Sequence, residues 1–142
     1  MKNPVVSKVL AIVGTALSLF PIAFMLFTSV VGSIDEGTFL MDYMLPAELG
    51  YLVVAGAALL LASAWGSPVD RRMIGIAGIA AIASFVLIIA VAVLSGANDS
   101  TDIPGWLIAI LTALMILYDL CTAAIGIVGI LYLRKLFRKT IA

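Results

Sequence analysis

The chain reads as an all-α membrane protein: four transmembrane helices in an up-down-up-down bundle, with the N and C termini cytoplasmic. Three observations predict this. First, 64% of the 142 residues are hydrophobic and the mean hydropathy is +1.26, where a soluble domain has roughly 45–50% apolar residues. A small domain has too much surface for its volume to hide that much apolar area from water, so the solvent for most of this chain is lipid. Second, apolar runs at residues 9–31, 46–65, 73–95 and 106–133 are each about long enough to cross a hydrocarbon core of roughly 30 Å. Third, the charges are sorted by side. All eight cationic side chains flank the runs on one side: Lys2 and Lys8, then Arg71 and Arg72, then Arg134, Lys135, Arg138 and Lys139. The connections at 32–45 and 96–105 contain no Lys or Arg. This is the positive-inside pattern of a multi-pass protein of the plasma or inner membrane.

Each element has its own signals. The first run is longer than the apolar core of a secretory signal, roughly 7–15 residues, and reads as a retained helix. Pro21 near its middle removes one backbone hydrogen bond and favours a kink. The connection at 32–45 holds Asp35, Glu36 and Asp42 with Phe39, Met41, Tyr43 and Met44, a composition suited to an interfacial or re-entrant turn. Pro46 opens the second helix as a favourable first-turn residue, with Glu48 near the positive helix end. Trp65 marks an interface, and Gly66-Ser67-Pro68 stops the helix. Val69 to Arg72 reads as a tight cytoplasmic turn. The third helix follows, then an outer loop with Asp99 and Asp102 that is all turn chemistry. Trp106 opens the fourth helix, whose length beyond one membrane thickness calls for tilt or projection into the cytoplasm. The whole is a single membrane domain over residues 1–142. Arg71, Arg72, Arg134, Lys135, Arg138 and Lys139 act as cytoplasmic anchors toward anionic lipid head groups, worth about 1 kcal/mol per basic residue at the surface.

Composition removes several chemistries. The chain has no His and a single cysteine, Cys121, so a metal site of His and Cys ligands and a His-dependent catalytic triad are both excluded. There is no phosphate-binding loop and no Gly-x-Ser-x-Gly elbow. Gly75-Ile76-Ala77-Gly78 lacks the spacing of a dinucleotide fingerprint. No cofactor is expected, and the basic tail is too short to argue for nucleic acid.

Asp119 is the anomaly. It falls in the middle of the fourth span, where a carboxyl costs about 2.5–3.5 kcal/mol on insertion scales, so it must face protein or a water-filled space. Thr112, Asp119 and Gly126 are seven apart and nearly in line, with Thr122 and Ala123 beside them. The opposite face, Ile110, Leu114, Leu117, Cys121, Ala124 and Val128, suits lipid. Depth matching sets Ser18, Gly56 and Ser84 against Asp119; the expected contact is polar glue from Asp119 to Ser84, to Ser18 or to a carbonyl freed by Pro21, with a proton- or cation-coupled role and pairing with a basic or polar residue of another membrane protein as the alternatives. No Lys or Arg lies in any span, so no intramembrane ion pair forms within one protomer. Glu48 is a helix-start carboxylate, placed roughly 15 Å from Asp119 in depth if the spans are straight. Gly14, Gly56, Gly75, Gly78 and Gly126 are candidates for close helix packing.

The functional expectation is a non-enzymatic protein that binds another membrane component, as an accessory or regulatory subunit. Its partner is another membrane protein or a second copy. The runner-up is a small proton- or cation-coupled transporter or channel using Asp119. An immunity protein against a membrane-active peptide shares every feature of the first reading. A lipid-modifying enzyme is disfavoured because two carboxylates so far apart do not form an acid–base pair.

Overall fold

A computed structural model describes residues 4–36, 47–96 and 103–141, with side chains at 35, 36, 47, 48 and 139–141 left aside. The described chain is all-helical: α1 (Pro4–Glu36), α2 (Ala47–Ser63), one 3-10 turn (Ala64–Gly66), α3 (Pro68–Leu94) and α4 (Gly105–Ile141). Four helices are long and apolar enough to cross a membrane. They stand in a ring in chain order, with α1 closing against α4.

The helices outrun the apolar runs, for local reasons. The expected turn at residues 69–72 is instead the first turn of α3. Ser67 has extended backbone angles, Pro68 takes the first position, and Asp70 lies in the first turn, all favoured at a helix start. Gly96 ends α3 with φ of 67°, the left-handed cap that glycine adopts without strain. α4 starts on the Pro104 carbonyl, which accepts the Leu107 and Ile108 N–H groups. It then runs 37 residues, so the basic tail is helical. Pro21 lies inside α1 without ending it. Of the connection expected as an interfacial turn, residues 32–36 belong to α1 and residues 37–46 lie outside the described residues.

The registers between neighbours come from specific contacts. A Cβ placed on Gly14 would lie 3.0 Å from Leu60, and one placed on Gly56 would lie 2.7 Å from the Gly14 carbonyl and collide with the Ser18 hydroxyl. The ring of Phe85 occupies the Cβ space of Gly50, Leu19 that of Gly126, and Thr15 that of Gly129. Phe85 also lies 5.6 Å from the Tyr118 ring, centre to centre. Gly75 and Gly78 behave differently. Their nearest neighbours would be ordinary contacts at 3.7 and 3.5 Å, so α3 does not need glycine there.

Among the described residues, burial is concentrated in one half of the bundle. The buried cluster includes Ala11, Val53, Ala57, Leu60, Ile74, Ala81, Tyr118, Ile125 and Tyr132. Beyond Pro21 on α1, Gly50 on α2, Ser84 on α3 and Tyr118 on α4, the one buried side chain among the described residues is Leu107. The described α2 is the shortest of the four helices: its 17 residues span about 26 Å at roughly 1.5 Å each. The packed half is the end with Lys8, Arg71 and Lys135. Lys8 sits 5.1 Å over the Phe137 ring, and Arg71 5.7 Å over Trp65. Lys135 Nζ donates to both oxygens of Asp70 at 2.9 and 2.8 Å, and Tyr132 Oη donates to the Ser63 carbonyl at 2.9 Å.

Two glycines test the packing. Gly56→Ala forces α1 and α2 apart and should lower thermal stability in detergent by about 1–3 kcal/mol, the usual cost of overpacking. Gly32→Ala has nothing within 4 Å of the new methyl and should hold or raise stability by up to about 1 kcal/mol. A thermal-shift assay in mild detergent reads both.

Candidate functional site

Asp119 lies at the edge of the bundle. Its side chain is half-buried. Yet its Oδ1 is fully buried and has no hydrogen-bond partner among the described residues. The Tyr118 hydroxyl, on the preceding residue, is also buried and unpartnered, while the residue as a whole is only 4% exposed. Two orphaned polar atoms on consecutive residues, inside a membrane-spanning helix, are a rare arrangement.

The expected glue between Asp119 and Ser84 or Ser18 is not made. Ser84 Oγ donates to the Ala80 carbonyl at 2.8 Å, and Ser18 Oγ donates to the Gly14 carbonyl at 2.9 Å. Thr122 donates to the Tyr118 carbonyl at 2.9 Å and Thr112 to that of Ile108 at 2.8 Å. Each hydroxyl has taken the carbonyl one turn back on its own helix, a bond that orders nothing further. Ser18 moreover faces Gly56 on α2. The structure therefore brings Ser18 and Gly56 together and leaves Asp119 apart from both.

The helical wheel is also rotated from expectation. The buried line of α4 runs through Tyr118, Thr122, Ile125, Gly129 and Tyr132. Asp119 and Gly126 flank it on the side of α1, since Gly126 meets Leu19. Cys121, expected on the lipid face, flanks the line on the other side and packs against the buried cluster with Val128. The aromatic Tyr118 lies on this line in the core, its ring tilted 36° against that of Phe85 of α3. Tyr118, Tyr132, Thr15 and Gly129 were not among the sequence candidates. Gly129 alone had a legible signal, its three-residue spacing from Gly126.

Glu48 belongs at a different depth from that expected. Gly50, two residues along, touches the Phe85 ring, and Phe85 touches Tyr118. The backbone of Glu48 is thus about 3 Å, two residues at roughly 1.5 Å, from the level of Tyr118 and Asp119, not about 15 Å. Tyr51 stands at the same level with its ring 6.3 Å from Phe85. The basic anchors lie at the opposite end of the packed half. Arg72, Arg134 and Arg138 are exposed, Lys135 holds Asp70, and the Lys139 side chain is outside the described residues. Among the described residues, no three His, Cys, Asp or Glu side chains gather.

No family model, curated protein or solved structure matches the chain.

The orphaned carboxyl reverses the sign of a stability test. Glue would make Asp119→Leu destabilising. With no partner to lose, Asp119→Leu should raise the melting temperature in detergent, because an unpaired buried oxygen costs about 1–3 kcal/mol. Tyr132→Phe should lower stability by about 1 kcal/mol, since its hydroxyl does have a partner.

Proposed function

We propose that this is a multi-pass protein of the plasma or inner membrane that acts by binding another membrane protein, as an accessory or regulatory subunit. It crosses four times, up-down-up-down, with both termini cytoplasmic. Two features support the topology. The basic residues share one end, and contact numbers fall on one helix as they rise on its neighbour, as in Thr15–Gly129 and Leu19–Gly126.

The observation that carries the binding role is the outward face of α3. Only 17% of its most apolar stretch is buried within the chain, against 39% for α2. Along that face Ile79, Ile82, Ala83, Val86, Leu87 and Ala90 line a shallow apolar groove. Ala83 and Ala90 are seven residues apart, the spacing that keeps small residues on the seam of a left-handed helix crossing. In lipid, where apolar contact alone drives nothing, such close packing is what joins helices. The groove suits an apolar transmembrane helix of a partner whose larger side chains seat over the two alanines.

A second reading, proton- or cation-coupled transport, is favoured by the unpaired Tyr118 and Asp119 oxygens.

Affinity purification of the tagged full-length protein from its native membrane tests the first reading, with Ala83→Leu in parallel. A stoichiometric membrane partner should accompany the parent and be lost from Ala83→Leu, while both melt alike. A partner that stays with Ala83→Leu, or a parent that purifies alone, sinks the groove as the binding face.

A further inference from the structure

We infer that Asp119 is an intramembrane pairing site for a Lys or Arg carried inside a transmembrane helix of another membrane protein, which lies along the outside of the α1–α4 seam. This rests on the partner-binding role proposed above and adds a contact on a face other than the α3 groove.

The depth of Asp119 sets the problem. At about 1.5 Å per residue it stands roughly 20 Å along the helix from both Trp106 and Arg134. A carboxyl on one methylene cannot reach the head groups from there, and a charged group at such a depth is paired. The chain has no cation to pair it with. No Lys or Arg occurs between Lys8 and Arg71 or between Arg72 and Arg134, and the chain has no His. That holds for residues 37–46 and 97–102 as well, so their placement does not alter it.

A hydroxyl is not the missing group. Ser18, Ser84, Thr112 and Thr122 each donate to the carbonyl one turn back on their own helix. Serine and threonine of a partner helix have the same local solution. A Lys or Arg inside a span has donors and no acceptor, and its own backbone does not neutralise its charge. Carboxylate and cation each supply what the other lacks. A second copy of this chain brings no such cation into the membrane.

The side from which the partner comes follows from the seam. Gly126 is covered by Leu19 of α1. Seven residues further along each antiparallel helix, the corresponding residues are Leu26 and Asp119. Leu26 is 55% exposed, Asp119 is half-buried, and Ile116 and Leu120 beside it are exposed. This stretch of the seam therefore faces outward. Oδ1 of Asp119 is buried, but the two oxygens share one charge, so a cation at the exposed part of the side chain compensates both. Ala123, one turn along and half-buried, is small enough for a partner helix to approach closely.

Affinity purification of the tagged full-length protein from its native membrane tests the pairing, with Asp119→Asn and Asp119→Leu in parallel and the melting temperature of each recorded. The protein that accompanies the parent should carry a Lys or Arg inside one of its spans. Its yield should fall roughly tenfold with either variant, while Asp119→Leu still melts as a folded protein. Exchange of the pair, Asp119→Lys with the partner's basic residue changed to Asp, should restore the complex, and either half of the exchange alone should not. A partner that stays with Asp119→Leu, or one with no basic residue inside a span, overturns the inference and leaves the partner-binding role standing. A homo-oligomer that Asp119→Leu dissolves assigns the face to a second copy and overturns it too. A parent that purifies alone sinks the partner-binding role itself. The purified protein reads the pairing without a native partner. In lipid vesicles it should associate roughly tenfold better with a synthetic transmembrane helix of Leu and Ala bearing one central Lys than with the same helix bearing Leu there. Energy transfer measures this, and the preference should vanish with Asp119→Leu. Equal association of the two helices with the parent overturns the site.

Discussion

The close approach of α1 to both of its neighbours is the constraint on which the bundle depends. Lipid tails solvate apolar side chains as well as other helices do, so burial supplies little net drive for helices to associate. Dispersion contacts at short range supply it instead, and they need backbones near each other. Gly14 and Gly56 bring α1 against α2; Gly126 and Gly129 bring α4 against Leu19 and Thr15 of α1. These four positions sit in the half of the bundle that is packed. Phe85 serves the same purpose between α2 and α3 by filling the space that Gly50 leaves.

The same economy explains why the interior hydroxyls do not reach across. Thr15, Ser18, Ser84 and Thr122 are all buried, and all bond to their own helix one turn back. Their burial is therefore solved locally, without any demand on a neighbour. Asp119, Tyr118 and the buried Ser63 hydroxyl have no such local solution in the structure. The polar bonds that do cross between helices, Tyr132 to the Ser63 carbonyl and Lys135 to Asp70, lie at the basic end. Among the described residues, the basic end of the molecule is the tied and filled one.

The apolar runs and the sorting of charge were legible in the residue order because hydropathy and charge belong to single segments. Helix ends were read short. Hydropathy marks where lipid ends, but helices continue through polar residues when a cap such as Pro68 with Asp70 allows it. Asp119 was conspicuous by type, and its orphaned state was not, because several hydroxyls lie at similar depth and helix rotation, which no single segment sets, decides which of them faces it. The depth of Glu48 was not legible because it depends on how α2 seats against α3, through Phe85 on Gly50. The face of Cys121 was misjudged because the wheel was centred on the charge when the buried line runs through the aromatic Tyr118.

By itself the sequence determined that this chain has four segments long and apolar enough to cross a membrane, with its cations flanking them on alternate connections, since hydropathy and charge act residue by residue. Which glycines bear close contact, which way α4 is turned, how deep α2 begins and which polar atoms remain without partners were decided only in the tertiary structure. These depend on helix register and rotation. Register and rotation are set by the fit of side chains from different helices, such as Leu19 on Gly126 or Phe85 between Gly50 and Tyr118, and no single segment carries that information.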